Sequence, residues 1–177
     1  MNIITKGENK VIKFVEGSIL DSKANFIINQ VNSQDMNFGM ALKFVEKFPH
    51  IETEYNKYLR YCKKNHNEIL GTVQYVPNEV WALVMADTMK NENVEAFDIN
   101  YQYIVNMFCQ NVFNNRPQID FKAMKKALID VKEKAKNLNA IVAISRSGYK
   151  GTEWENFDTV IKKIFDNSGL EVQIYSK

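Results

Sequence analysis

The stretch NQVNSQDMNFGMALKF, Asn29 to Phe44, decides how this chain is interpreted. It follows an apolar run, Ala24 to Ile28, whose length and composition are typical of a buried strand. Polar residues then carry the chain out of the strand, a lone glycine follows at Gly39, and apolar residues recur at helical spacing from Phe38 to Lys47. The stretch therefore predicts a strand, a polar loop and a helix in direct succession.

The rest of the chain alternates between strand and helix patterns. Further strands are predicted at 10–16, 72–76, 80–86, 140–144 and 170–175, and further helices at 52–64, 98–113, 120–136 and 153–166. Strands that alternate with helices build sheets covered on both faces. The sequence therefore predicts an α/β protein with three layers, α/β/α, around a mixed, mostly parallel central sheet.

Composition and charge argue against several classes of protein. The net charge is +2, from 23 Lys and Arg against 21 Asp and Glu, which does not favour a nucleic-acid-binding surface. No window approaches the roughly 20 apolar residues of a membrane span, and the N-terminus lacks a signal-peptide pattern. We therefore expect a cytoplasmic protein. Cys62 and Cys109 are predicted to be free thiols in helices, and no cysteine–histidine cluster suggests a metal or a catalytic pair.

The first strand-to-helix loop has the polar residues of a ligand site. In α/β sheets, ligands bind beyond the carboxyl ends of the strands. Asn32 offers an amide that can donate and accept hydrogen bonds, which suits sugar hydroxyls. Gly39 would let a ligand approach the backbone at a helix N-terminus, where free amides favour anions. The alternative is structural: Asn32 caps the turn and Gly39 relieves crowding.

The second loop, SRSGYKG at 145–151, follows the apolar strand 140–144. Its two glycines, its serines and its two cations, Arg146 and Lys150, suit a phosphate cradle built from backbone amides and positive side chains. The alternative is an ordinary exposed turn. Two anion-binding loops on one sheet edge would suit a diphosphate with a sugar on either side.

Three segments together resemble the macrodomain family, whose members bind ADP-ribose. They are ANFIINQVNS (24–33), NFGMALKFVEKFP (37–49) and ISRSGYKGTEWENF (144–157). The resemblance is closest to the branch that contains the terminal ADP-ribose protein glycohydrolase and the antitoxins that reverse DNA ADP-ribosylation. It covers about Gly17 to the C-terminus and weakens between Asp87 and Pro117. It implies a single macrodomain-like domain, 1–177, with an insertion at 88–117.

The resemblance also implies a ligand layout. Ser18 and Ile19 would lie near the adenine, and Tyr175 would flank the base. Asn29 and Asn32 match the family's Asn-x-x-Asn pair, with Asn32 facing the distal ribose as the candidate catalytic residue. The two loops would hold the diphosphate through Asn37, Phe38, Gly39, Met40, Arg146, Ser147, Gly148, Tyr149, Lys150 and Gly151.

The sequence departs from the family at three places. Ser18 replaces an acidic residue that contacts the adenine amine, which leaves Asp21 as another contact. The first loop is bulkier than the family's. In the glycohydrolase branch, an aspartate of the second loop and a lysine carry catalysis; Lys150 stands at or near that aspartate, and Lys90 is the candidate lysine. A lysine cannot act as a general base at neutral pH unless its pKa is strongly lowered, so the catalytic pair does not carry over.

Three functions stay open. The favoured one is binding of ADP-ribose or a derived nucleotide without turnover, as a reader or sequestering module. The alternative is a hydrolase that removes ADP-ribose from protein or nucleic acid, or dephosphorylates ADP-ribose 1″-phosphate. The third is protein interaction through 88–116, either as a helix on the core or as a lid. We expect a monomer without cofactor, metal or membrane contact, with ADP-ribosylated macromolecules as partners. Scarce arginine suggests a bacterial or phage source.

Overall fold

The computed structural model describes residues 12–78 and 102–176. These residues form seven strands and four helices. In chain order they are β1 (Ile12–Val15), β2 (Phe26–Asn32), α1 (Gly39–Lys47), α2 (His50–Lys64), β3 (Val73–Pro77), β4 (Tyr103–Phe113), β5 (Arg116–Ile119), α3 (Phe121–Leu138), β6 (Val142–Ser145), α4 (Thr152–Phe165) and β7 (Val172–Tyr175). A short 3-10 helix, Ile19–Asp21, follows β1. None of the helices in these ranges is long and apolar enough to cross a membrane.

The strands form one mixed sheet in the order β1-β7-β6-β2-β4-β3, with β5 paired to β4. Five strands run parallel to one another, namely β1, β7, β6, β2 and β4. The strands β3 and β5 run antiparallel to β4. One buried cluster joins the sheet to α3 and α4, and a second joins the opposite face to α1 and α2. The predicted three-layer fold with a mostly parallel sheet is confirmed. The five parallel strands all point their carboxyl ends toward one edge, which we call the carboxyl edge.

Residues 98–113 were predicted to be a helix, and this prediction is wrong for the described part. Tyr103–Phe113 forms β4, which lies between β2 and β3. Its side chains alternate: Tyr103 and Val105 face the α3 and α4 cluster, while Ile104 and Phe108 face the α1 and α2 cluster. A strand buried on both faces gives a nearly continuous apolar run, which periodicity alone cannot separate from a buried helix.

The strand β4 changes two other predictions. Cys109 lies in this strand rather than in a helix, although both cysteines are free and buried as predicted. The described part of the predicted insertion, 102–117, supplies a central strand of the sheet and the start of β5. The predicted strand at 80–86, the candidate Lys90 and the rest of that insertion lie outside the described residues.

Candidate functional site

The carboxyl edge brings most of the predicted site residues to one side of the molecule. The strand register aligns Val15 with Tyr175, and Tyr175 with Ser145. Ile27 pairs with Ala143. Continuing that register by two residues places Asn29 opposite Ser145. The 3-10 helix, the second loop and the first loop therefore follow three strands of the carboxyl edge, β1, β6 and β2, and β7 ends between β1 and β6.

Two helix N-termini at this edge have no side-chain cap. The N-cap residues are Phe38 for α1 and Gly151 for α4, and neither makes a capping hydrogen bond from its side chain. By contrast, the Asp120 side chain accepts a hydrogen bond from the Ala123 N–H at 2.9 Å and caps α3. The first N–H groups of a helix lack partners within the helix, and the helix dipole favours negative charge there. The start of α1 is therefore suited to an anion, whereas at α4 the N–H groups of Glu153 and Trp154 already donate to backbone carbonyls of the second loop, each at 3.1 Å, which leaves the Thr152 N–H.

Three glycines leave open space beside these helix starts. Gly39, Gly148 and Gly151 have φ angles of +52°, +92° and +55°. A Cβ atom added to any of them would meet no atom within 4 Å. Glycine adopts such φ angles at little cost, whereas other residues are strained there. The backbone at both loops is therefore open to close approach.

The side-chain oxygen of Asn32 caps the first loop, and the side-chain amino group takes no part in this cap. Its Oδ1 accepts hydrogen bonds from the backbone N–H groups of Gln34 and Asp35, at 2.7 and 3.0 Å. The buried hydroxyl of Tyr55 donates to the Asn32 backbone carbonyl at 2.8 Å. Since two N–H donors must face an oxygen, these contacts fix the amide orientation. The structural role predicted as the alternative is therefore present, and the Nδ2 group makes no hydrogen bond with the described residues.

Asn29 belongs to a line of three amides, the amide row, made of half-buried Gln74 and fully buried Asn106 and Asn29. Asn29 Nδ2 donates to Asn106 Oδ1 and Asn106 Nδ2 donates to Gln74 Oε1, both at 3.0 Å. Gln74 Nε2 donates to the Glu54 backbone carbonyl on α2 at 2.8 Å. All donors point the same way, so the row ends in the Asn29 oxygen. That buried atom has no hydrogen-bond partner among residues 12–78 and 102–176.

The amide row explains why β2 is longer than predicted. The sequence was expected to leave the strand after Ile28, because Asn29 and Gln30 are polar. Asn29 is fully buried, and β2 continues to Asn32. Buried polar groups are tolerated when they are hydrogen-bonded, and the partner of Asn29 is 77 residues away on β4.

The second loop is fixed to β2 by Gln30, a residue that the sequence analysis did not single out. Gln30 Nε2 donates to the Ser145 backbone carbonyl at 2.8 Å, and Gln30 Oε1 accepts from the Tyr149 hydroxyl. The Tyr149 ring is buried against Phe157, with ring centroids 4.7 Å apart. Burial raises the pKa of Tyr149 well above its usual value, so the phenol stays protonated.

Arg146 turns away from the second loop toward α4. Its guanidinium carbon lies 3.3 Å from the centroid of the Trp154 ring and 5.0 Å from that of Phe14. Its Nη1 lies 3.7 Å from Asp158 Oδ1. The side chain of Lys150 is exposed instead. The predicted contact of Arg146 with a phosphate stays a prediction, since its charge already has aromatic and acidic neighbours.

The residues that are predicted to border the adenine include both buried and exposed side chains. Ser18 Oγ accepts from the Leu20 N–H at 3.3 Å and so caps the 3-10 helix. Asp21, the other predicted contact, pairs with Lys47 at 2.5 Å. The hydrogen bond from that ammonium and its charge lower the pKa of Asp21. Tyr175 is buried at the end of β7, and its hydroxyl donates to Gln173 Oε1 at 3.2 Å. Asp21 is thus already charge-paired.

No protein-family model and no curated protein matches this sequence. Solved structures match at low identity. A macrodomain protein from Streptomyces coelicolor matches with a TM-score of 0.68 and 22% identity, over 94% of this chain and 99% of that one. The macrodomain of Thermus aquaticus DarG matches with a TM-score of 0.67 and 20% identity, over 94% of this chain and 99% of that one. The chain has a macrodomain fold.

A third structure with this macrodomain fold contains a ligand. Thermosipho africanus DarTG, in complex with ADP-ribose, matches with a TM-score of 0.59 and 16% identity, over 93% of this chain and 42% of that one. The predicted residues of our chain fall into two groups within the shared fold. Exposed or half-buried at the carboxyl edge are Ser18, Asn37, Phe38, Gly39, Met40, Arg146, Ser147, Gly148, Lys150 and Gly151, while Ile19, Asn29, Asn32, Tyr149 and Tyr175 are buried.

Metal chemistry has no support in the described part of the chain. Within 12–78 and 102–176, no three His, Cys, Asp or Glu side chains are grouped as metal ligands. The site therefore offers backbone N–H groups, amides and hydroxyls. These groups can hold and orient a nucleotide sugar.

Proposed function

We propose that this protein binds ADP-ribose or a related nucleotide at the carboxyl edge, as a cytoplasmic, monomeric reader or sequestering module. One observation carries the proposal: α1 and α4, both uncapped and both entered through glycine, begin at the ends of the neighbouring strands β2 and β6. Such a pair of N-termini can share the two charges of a diphosphate. The ADP-ribose complex of a protein with the same fold supports this choice of ligand.

In this proposal each loop has a separate task. The N–H groups at the start of α1 and the N–H groups of the second loop up to Thr152, with Gly39, Gly148 and Gly151, hold the diphosphate. The Asn32 Nδ2 group donates to a distal ribose oxygen, because the oxygen of that amide is already used by the first loop. Ser18, Ile19 and Tyr175 border the adenine.

The hydrolase alternative is favoured by one carboxylate near Asn32. The N–H of Asp35 bonds the Asn32 oxygen. The negative charge of Asp35 adds to burial in raising the pKa of Tyr55, whose hydroxyl bonds the Asn32 carbonyl. A carboxylate at the ribose end of the site could serve as a general base. In that case, Asn32→Ala would abolish release of ADP-ribose from an ADP-ribosylated substrate while the protein stays folded.

Isothermal titration with ADP-ribose tests the binding function. Asn32→Asp is the variant that removes the proposed ribose donor while it keeps an acceptor for the turn. We expect the wild type to bind with a Kd on the order of micromolar. In Asn32→Asp a carboxylate can still accept the two loop N–H bonds, but the amino donor is lost and a negative charge faces the ligand. We expect affinity to fall about tenfold or more, with little change in the unfolding midpoint.

Asn167→Asp is the matched control for that titration. Asn167 lies in the turn after α4, beyond the opposite edge of the sheet, so the same change in charge should leave affinity unchanged. No ADP-ribose binding by the folded wild type would reject the proposal. Asn32→Ala should lose both the turn contacts and the donor, and its unfolding midpoint should fall below that of Asn32→Asp.

A further inference from the structure

We propose that Gln30 is a positioning residue, which holds the second loop in its ligand-binding shape by bonding Tyr149. This inference rests on the proposed function, because the loop is taken to hold the diphosphate. Gln30 itself lies on the opposite face of the sheet from the amide row and has no predicted contact with the ligand.

Gln30 bonds the second loop at two points. Its Nε2 donates to the carbonyl of Ser145, the last residue of β6, at 2.8 Å. Its Oε1 accepts from the hydroxyl of Tyr149, in the middle of the loop. The side-chain amide of Gln30 therefore fixes both the first residue and the middle of the loop to β2. The same strand leads into the first loop only two residues later, at Asn32.

Tyr149 anchors the loop because its side chain points into the protein. Its ring packs 4.7 Å from Phe157 of α4 and 6.3 Å from Phe121 of α3, between centroids. The flanking Gly148 and Lys150 are exposed. Packing of the hydrophobic ring fixes how closely the loop lies against the core. The hydrogen bond of the hydroxyl fixes the position of the loop along β2.

The position of this anchor determines where the loop N–H groups point. Tyr149 lies between Gly148 and the start of α4, the two places where the backbone is open to a ligand. Within the loop, short-range turn bonds run from the Ser147 N–H to Ser145 Oγ at 3.1 Å and from the Tyr149 N–H to the Arg146 carbonyl at 3.4 Å. A loop that is already held in its binding shape loses less entropy when the ligand binds, which increases affinity.

Two conservative variants test the inference. Tyr149→Phe keeps the ring and removes the hydroxyl, and Gln30→Met keeps the length of the side chain and removes both hydrogen bonds. We expect each to weaken ADP-ribose binding about five- to tenfold, and the double variant to be no weaker than the weaker single variant. Amide hydrogen exchange of unliganded protein should become faster at 147–151 in all three.

Tyr75→Phe is the control for the loss of a tyrosine hydroxyl. Tyr75 lies on β3, and its hydroxyl donates to Asp130 Oδ1 at 2.6 Å. This variant should bind ADP-ribose like the wild type and leave exchange at 147–151 unchanged. Unchanged loop exchange in Tyr149→Phe would overturn the inference whether or not the wild type binds ADP-ribose. Fully additive losses of affinity in the double variant would overturn it too. If the wild type fails to bind while loop exchange rises as expected, only the proposed function is rejected.

Discussion

Gly148→Glu is expected to weaken ADP-ribose binding about a hundredfold or more. The side chain fits sterically, because a Cβ atom there would meet nothing within 4 Å. The expected loss of affinity has two other sources. A φ of +92° strains any residue with a side chain by about 1–2 kcal/mol, which distorts the loop. The new carboxylate would also stand beside the diphosphate, where repulsion at 4 Å ranges from about 1 to about 4 kcal/mol. Together these give about 2–6 kcal/mol, a range that includes the roughly 2.7 kcal/mol that corresponds to a hundredfold.

Isothermal titration of Gly148→Glu should be paired with Gly169→Glu. Gly169 also has a positive φ, +75°, and open space around its Cβ position. It lies ahead of β7, at the opposite edge of the sheet, so its variant carries the same charge and similar strain far from the proposed site. We expect similar losses of stability and a loss of affinity only at Gly148. Equal affinities of the two variants would show that the second loop does not hold the ligand.

Asn106→Leu is expected to lower the free energy of unfolding by about 2–5 kcal/mol. Asn106 is fully buried at the centre of the amide row. Leucine would leave two groups without their partners: the buried amino group of Asn29 and the oxygen of half-buried Gln74. Each buried polar group that loses its partner costs about 1–3 kcal/mol. The hydrophobic gain of leucine offsets only part of this cost.

Chemical denaturation of the single and double variants measures this effect. Adding Gln74→Leu to Asn106→Leu removes one of the unpaired atoms, so we expect the double variant to lose less stability than the sum of the two single variants, by about 1–2 kcal/mol. Asn111→Leu is the control on the same strand. Its amide bonds Asp120 at 3.2 Å and is only half-buried. If both asparagine variants lose the same stability, the amide row has no special role.

Local patterns predicted most of the fold, and the two main failures have different causes. The helices α1 to α4 begin and end within two residues of their predicted bounds, because each has an apolar face or a clear stop such as Pro49. β4 was mistaken for a helix because both of its faces are buried. The end of β2 was misplaced because Asn29 bonds a residue on β4. Local sequence does not contain the identity of a partner so far along the chain.

In the site, too, local features of the backbone were predicted, whereas the directions of side chains were not. Glycines and strand-to-helix junctions indicated both loops correctly as open backbone near helix starts, because these are local properties. The directions of Arg146 and Tyr149 could not be predicted. Arg146 faces Trp154, and Tyr149 faces the core, because α4 supplies an aromatic surface there. The Asn32 oxygen accepts the N–H bonds of the turn, which could not be predicted without the loop conformation.

The stacking of Arg146 on Trp154 has a consequence for selectivity in the cell. Of the two cations in the second loop, only Lys150 is exposed, so the proposed site holds phosphate mainly through neutral N–H groups. Attraction between net charges is long-ranged and screened by salt, whereas N–H contacts act only at short range. Affinity for ADP-ribose should therefore change little with ionic strength. Highly charged polyphosphates such as nucleoside triphosphates would gain little advantage over a diphosphate of matching shape.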